Sequence, residues 1–363
     1  MFPRWILISL LGVVCAVVGG VIGWFLRPNA PLSSEQITSY RGATLRQSSA
    51  NYQFIAPLLA CDVGSEDAFP EFAPLRQSLT DFVNQKVAAG DAQNISIYLR
   101  SLRSARWFEI RGPLTYAPAS LFKTFVMMAY YKEADETDNP GLLQEEIPFQ
   151  GSATYGDDVV GGTIVHLVNG KLYTIDQIID QMITYSDNDA FNTLLNHFDA
   201  DTLSRLETIF KDLNIPLPLT NTDSALNFMS VQDYALVFRV LYASTYLSER
   251  YSEKALQVLA QSKYKDGITA GIPSDLTVSQ KYGVLTIPKT ATSTITTELH
   301  DCGIVYYPKH PYLLCVMTSG NNLLAQQKAI KDISATTYQW LNGFYKALPS
   351  SSVATSTPSV VTP

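Results

Sequence analysis

Residues 116–131 read Tyr116-Ala117-Pro118-Ala119-Ser120-Leu121-Phe122-Lys123-Thr124-Phe125-Val126-Met127-Met128-Ala129-Tyr130-Tyr131. From Leu121 onward the run is apolar nearly all round, broken only by Lys123 and Thr124. A helix that is apolar on every side is a buried helix. Ser120 and Lys123 lie three apart, so they share a face at its N-terminal end. An ammonium buried there without partners is costly, so the lysine needs a reason. One reason is chemical: desolvation lowers a lysine pKa, and the amine then takes the proton of a neighbouring serine and makes it a nucleophile. Backbone N–H groups at the helix start would also favour an oxyanion. The same four residues equally suit a plain helix cap, Ser120, followed by a snorkelling lysine. A second S-x-x-K, Ser262 to Lys265, sits in a polar stretch with no buried helix behind it.

Two further elements lie downstream. Ser186-Asp187-Asn188 occurs once and precedes the helical pattern Phe191 to Leu195, where an Asx turn or N-cap is the simplest reading. Lys281-Tyr282-Gly283 falls in a strand-like run. Lysine and glycine two apart on a strand project to one face, and the glycine lets a ligand approach the backbone. An edge-strand lysine that blocks aggregation is the competing account. K-x-G recurs at Lys265-Asp266-Gly267, and Lys289-Thr290-Ala291 nearly repeats it. The strand setting and the hairpin downstream favour Lys281.

Around these elements the periodicity organises the chain. Leu75, Leu79, Phe82, Val83 and Val87 recur at helical spacing. Ile95, Ile97 and Leu99 alternate with polar residues as a half-buried strand, and Trp107 to Ile110 forms a second strand after the turn at Arg103-Ser104-Ala105. Thr277 to Ile287, Gly303 to Tyr307 and Tyr312 to Thr318 read as three late strands, with a turn at Pro308 to Pro311. A last amphipathic helix carries Ile330, Ile333, Leu341 and Phe344. Two early strands, three late ones and helices between predict an α+β fold with one sheet built from both chain ends and a helical insertion.

At the N-terminus Trp5 to Leu26 carries no charge between Arg4 and Arg27. Its length suits an uncleaved transmembrane helix, since about 20 residues cross the hydrocarbon core. The expected divisions are an anchor over 1–27, a stalk and lead-in over 28–71, a catalytic domain over 72–346, and a Ser/Thr/Pro-rich disordered tail over 347–363. A single span is expected, with the domain outside the cytoplasmic membrane, although Arg4 against Arg27 orients it only weakly. Acids outnumber bases, 33 to 26, for a net charge of -7, so no nucleic-acid partner is expected. At 46% hydrophobic and 16% charged the chain suffices for a sizeable core. The four histidines and four cysteines show no metal-ligand spacing, and neither a metal nor a cofactor is expected. Cys302 and Cys315 suit buried filler on strands, while a pairing across the late hairpin would give a disulfide in an oxidising compartment.

S-x-x-K on a buried helix, S-D-N in the helical middle and K-x-G on a late strand, in that order, resemble the penicillin-recognising serine hydrolases of class A β-lactamase type. The segments from Tyr116 to Lys123, from Tyr185 to Asn192 and from His300 to Tyr306 look like that family's local contexts. The resemblance spans about Phe72 to Tyr345 and implies the β-lactamase/transpeptidase-like fold, a five-stranded antiparallel sheet flanked by helices with a helical subdomain. It implies Ser120 as the acylated nucleophile, Lys123 as its base, Ser186 as proton relay, Asn188 as holder of the substrate amide, and Lys281 as positive charge toward Ser186 and a substrate carboxylate. The N–H groups of Ser120 and of Val284, just past Gly283, would form the oxyanion hole.

Two departures stand out. Tyr282 replaces the small hydroxyl that helps hold the substrate carboxylate in the family. No glutamate occurs between Glu207 and Glu249, where the family carries the base that activates the deacylating water. Asp223 alone offers an acid on the loop from Pro216 to Ser230, and a solvated turn residue is its simpler reading. The expected partner is a β-lactam or D-Ala-D-Ala-type small substrate. The function classes in play are a β-lactamase, a D,D-peptidase or penicillin-binding protein, and a non-catalytic, membrane-anchored binding protein.

Overall fold

The computed structural model describes residues 52–57, 70–151, 167–216, 226–287 and 296–347. The apolar run from Trp5 to Leu26, Asp223, Lys289 to Ala291 and most of the Ser/Thr/Pro tail lie outside them. Among the described residues no helix is long and apolar enough to cross a membrane.

The early helical spacing becomes α1 (Ala73–Ala88), which buries Leu75, Leu79 and Val83. The alternation at Ile95, Ile97 and Leu99 becomes β1 (Asn94–Ser101), paired with β2 (Trp107–Ile110). A short β3 (Thr115–Tyr116) and a 3-10 turn, Ala119–Phe122, lead into α2 (Lys123–Glu136). Lys123 through Tyr131 are all buried, as an all-round apolar helix requires. The helical middle continues through the hairpin β4 (Glu146–Pro148) and β5 (Leu172–Thr174), then α3 (Ile175–Thr184), α4 (Asn188–Asn196) and α5 (Ala200–Asp212). β6 (Met229–Ser230) pairs with β3, and α6 (Val231–Ala243) and α7 (Glu249–Ala260) follow. β7 (Val278–Ile287), β8 (Thr296–Val305), β9 (Tyr312–Gly320) and α8 (Leu323–Ala347) complete the order.

Five strands form one antiparallel sheet in the order β2-β1-β9-β8-β7. The last strand therefore joins the early pair to the late pair. Side chains alternate across it. Ile95, Ile97, Leu99, Leu314 and Val316 pack with Leu79, Ile330 and Ile333 from α1 and α8. Tyr98, Cys302, Ile304, Leu313 and Met317 pack on the other face with the helical middle. Burying such side chains stabilises the fold by about 1.5–3 kcal/mol each. β7 lies at the sheet edge, and this places Lys281 beside the helices.

Three features differ from the sequence reading. The second late strand begins at Thr296 and ends at Val305, not Gly303 to Tyr307. Glu298, His300 and Asp301 interrupt its hydrophobic pattern, yet all three are buried, each with a backbone group bonded to its side chain. Cys302 and Cys315 face each other in register, with Cα atoms 4.0 Å apart, and form a disulfide instead of serving as filler. With a sequence separation of 13, chain entropy assigns the link about 3 kcal/mol. Finally, within the span read as stalk, residues 52–57 lie on the domain: Phe54, Ile55 and Ala56 are buried. The Glu253 carboxylate of α7 accepts the N–H groups of Gln53, Phe54 and Ile55 at 2.9–3.2 Å.

Candidate active site

The turn into α2 places the serine. Ala119, immediately before Ser120, takes the left-handed conformation at φ 50°, a strained state for a non-glycine residue. The Leu121 N–H closes the turn on the Pro118 carbonyl at 2.9 Å. One turn on, Lys123 reaches back, with its Nζ 3.1 Å from Ser120 Oγ. This Nζ is also bound to the Ser186 carbonyl and, at 2.7 Å, to Asn188 Oδ1. Two N–H bonds fixed in this way leave the third tetrahedral direction for Ser120, which is the lone-pair direction once the amine is neutral. The geometry meets the reach a general base needs.

Ser186-Asp187-Asn188 both caps a helix and reaches Lys123. Asp187 is the N-cap of α4: its carboxylate accepts the Ala190 N–H at 3.0 Å and the Gln181 side-chain amide at 2.8 Å. With Asp187 turned to the helix, its neighbours turn to Lys123. Ser186 is left-handed at φ 59°, which aims both its carbonyl and its hydroxyl at the amines. Its Oγ lies 3.4 Å from Lys123 Nζ and 2.7 Å from Lys281 Nζ.

Lys281 enters from β7, fully buried, and donates also to the Tyr282 carbonyl at 2.8 Å. Burial holds its pKa well below the usual lysine value; the Lys123 charge lowers it further and Asp301 raises it in part. Asp301 is buried on β8 opposite Tyr282. Burial pushes its carboxyl up to about 7, against the Ile268 N–H, Lys281 and Lys265. The Ile268 N–H donates to Oδ2 at 2.7 Å, and Oδ1 is buried without a hydrogen-bond partner.

Gly283 abuts the serine turn. A Cβ there would stand 3.0 Å from the Pro118 carbonyl and 3.1 Å from the Ser120 and Leu121 nitrogens. All three are backbone atoms, so relief would need movement of the turn or the strand. Gly283→Ala is expected to slow acylation of Ser120 by about 10²-fold, because a shift below 1 Å misplaces the reacting oxygen. Rapid-mixing acylation kinetics with a chromogenic cephalosporin check this. Val284, half-buried, follows on the same strand and pairs with Leu299.

Tyr282 occupies a different position from a small hydroxyl. Its ring is 4% exposed and stacks on Tyr264 at 4.1 Å, with Lys281 Nζ 4.5 Å above its face. Tyr264 belongs to the loop after α7, tied to α3 by the Lys263 N–H on the Thr184 carbonyl and to β7 by Gln280 on the Tyr264 carbonyl. The second S-x-x-K and second K-x-G fall in this loop, with Lys265 exposed and no helix behind Ser262. Three residues that the motifs do not include also converge here. Glu298 and His300 of β8 bind the backbone of Ala117, and Asp301 lies behind Lys281. The only signal for the first two was their spacing, which places two polar side chains on one strand face.

The profile of the family described as the β-lactamase enzyme family matches residues 74–341. Among solved structures, the chain is similar to a point mutant of PBP-A in its acyl-enzyme complex with penicillin G. The identity is 20% and the TM-score 0.60, covering 74% of this chain and 97% of that one. It is similar to a β-lactamase from Sphaerobacter thermophilus at 21% identity and TM-score 0.58, covering 72% and 96%. A class A β-lactamase from Mycobacterium abscessus gives 18% identity and TM-score 0.58, covering 73% and 99%. No curated protein matches the sequence.

Proposed function

Because the chain belongs to the β-lactamase enzyme family, we propose that it is a serine hydrolase of class A β-lactamase type that opens β-lactam rings through an acyl-enzyme on Ser120. The observation that carries the reading is Lys123 Nζ at 3.1 Å from Ser120 Oγ, with two other N–H directions taken by Ser186 and Asn188. Lys123 accepts the Ser120 proton as Oγ attacks the lactam carbonyl carbon. The N–H groups of Ser120 and Val284 stabilise the oxyanion. The C–N bond then breaks as Ser186 hands its proton to the leaving nitrogen and takes a replacement from protonated Lys123, whose Nζ lies 3.4 Å from Ser186 Oγ, so the amine ends neutral. Asn188 holds the substrate amide. Lys281 donates to Ser186 and faces the substrate carboxylate, with Tyr282 and Gly283 shaping that end. Water releases the acyl group, with Asp223 as the candidate base. The neutral run Trp5 to Leu26 supports a single-pass anchor, and the Cys302–Cys315 disulfide fits an extracytoplasmic domain.

The absence of any glutamate between Glu207 and Glu249 supports a second reading, a penicillin-binding D,D-peptidase whose acyl-enzyme persists. Intact mass followed over time after adding penicillin G, with Ser120→Ala beside it, tests both. An adduct that forms and disappears on the wild type alone supports the hydrolase. One that forms and persists supports the peptidase. No adduct on the wild type overturns both.

A further inference from the structure

Two buried side chains of β8 have no part in the proposed chemistry. Glu298 is 2% exposed and His300 fully buried. They lie two apart on one strand, so they project to the same face, and both end on the backbone of one residue. Glu298 Oε2 accepts the Ala117 N–H at 2.7 Å, and His300 Nε2 lies 2.9 Å from the Ala117 carbonyl oxygen. The Thr318 N–H donates to the other ring nitrogen, Nδ1, at 3.3 Å. That network assigns the proton to Nε2, which therefore donates to Ala117.

Ala117 is three residues before Ser120, and the chain between them passes through Pro118 and the left-handed Ala119. A strained turn persists only where its surroundings over-determine it. Gly283 fixes the far side of this turn by close approach. On the near side, Tyr116 has its ring edge on His300 and its hydroxyl 2.9 Å from Ser96 Oγ. Packing alone would be served better by apolar residues, since a buried carboxylate is costly unless bonded. We propose that Glu298 and His300 are positioning residues, a two-point clamp on Ala117 that sets the attack geometry of Ser120. The proposal rests on Ser120 being the acylated nucleophile.

The test uses Glu298→Met, which fills the space without an acceptor, Glu298→Gln, whose amide oxygen still accepts from Ala117, and His300→Leu. Acylation by penicillin G is resolved into a dissociation constant for the reversible complex and a first-order acylation constant. Hydrogen exchange of residues 116–122 is measured on the resting proteins. The methionine and leucine variants should lose about tenfold or more in the acylation constant, with the dissociation constant moved less than about threefold. Exchange should quicken at 116–122, and Glu298→Gln should restore both readings. Unchanged acylation and exchange in both variants overturn the clamp. So does a parallel loss of binding, acylation and melting temperature that glutamine does not rescue. If the wild type itself takes up no penicillin, the proposed reaction fails and exchange alone judges the clamp. Faster exchange confined to 116–122 supports it, and unchanged exchange overturns it.

Discussion

Lys123→Ala should slow penicillin acylation of Ser120 by about 10²–10⁴-fold, the usual contribution of a positioned general base. The amine is the only titratable group with a hydrogen bond to Ser120 Oγ among the described residues. Its other bonds, to Ser186 and Asn188, orient it without neutralising it. Removing it also removes the positive charge that helps lower the Lys281 pKa. The Lys281 amine should therefore hold its proton to higher pH in the variant. The residual acylation should change in pH profile as well as in rate. Stopped-flow acylation from pH 5 to 10, beside a melting curve, separates the two effects. Wild-type acylation in a folded variant would remove Lys123 from the role of base. Loss of acylation with no change in profile would detach the two lysines from each other.

The residues proposed to do the chemistry were legible because their reasons are local. A lysine inside an all-apolar helix is conspicuous, and its serine lies three positions away. The Asx turn and the catalytic reading of Ser186-Asp187-Asn188 looked like rivals in the sequence. Asp187 caps α4 while its two neighbours face Lys123, so the cap leaves room for the role proposed for them. What was not legible depends on partners far along the chain. Glu298 binds Ala117 across a separation of 181 residues, and His300 binds it across 183. Without those partners, the sequence reading began this strand only at Gly303. The disulfide stood as one of two readings, because it follows from the register of β8 against β9. Filler and bridge predict the same apolar burial, and only the pairing separates them. Tyr282 was read as a departure, but its stacking on Tyr264 depends on a loop 18 residues upstream, which no spacing rule connects to the strand.

Lys281→Met should give a more stable protein with a poorer site. The lysine is fully buried, with Ser186 Oγ and the Tyr282 carbonyl as its acceptors and a second lysine close enough to depress its pKa. A packed apolar chain of similar length relieves the cost of burying such a charge, and each kcal/mol gained raises the melting temperature by about 2–4 °C. The pH dependence gives the sign. A lysine whose folded pKa lies below its unfolded value of about 10.4 binds more protons unfolded across that interval, so wild-type stability rises with pH through it. Methionine removes that rise, and its advantage is greatest at pH values below the lowered pKa. Asp301 acts in the opposite sense. Its folded pKa of about 7 exceeds the unfolded value of about 3.9, so its contribution is complete below pH 4 and is lost as pH rises through 7. Without the Lys281 charge that lowers it, the Asp301 pKa should rise, extending that loss to higher pH. Acylation should fall about 10²-fold, since Ser186 loses the donor that charges the relay. Urea unfolding at pH 5, 7 and 9, with penicillin acylation on the same samples, reads both. A variant less stable than wild type at pH 7 would mean that the two hydrogen bonds outweigh burial. A stable variant with wild-type acylation would mean that Ser186 does not need the lysine.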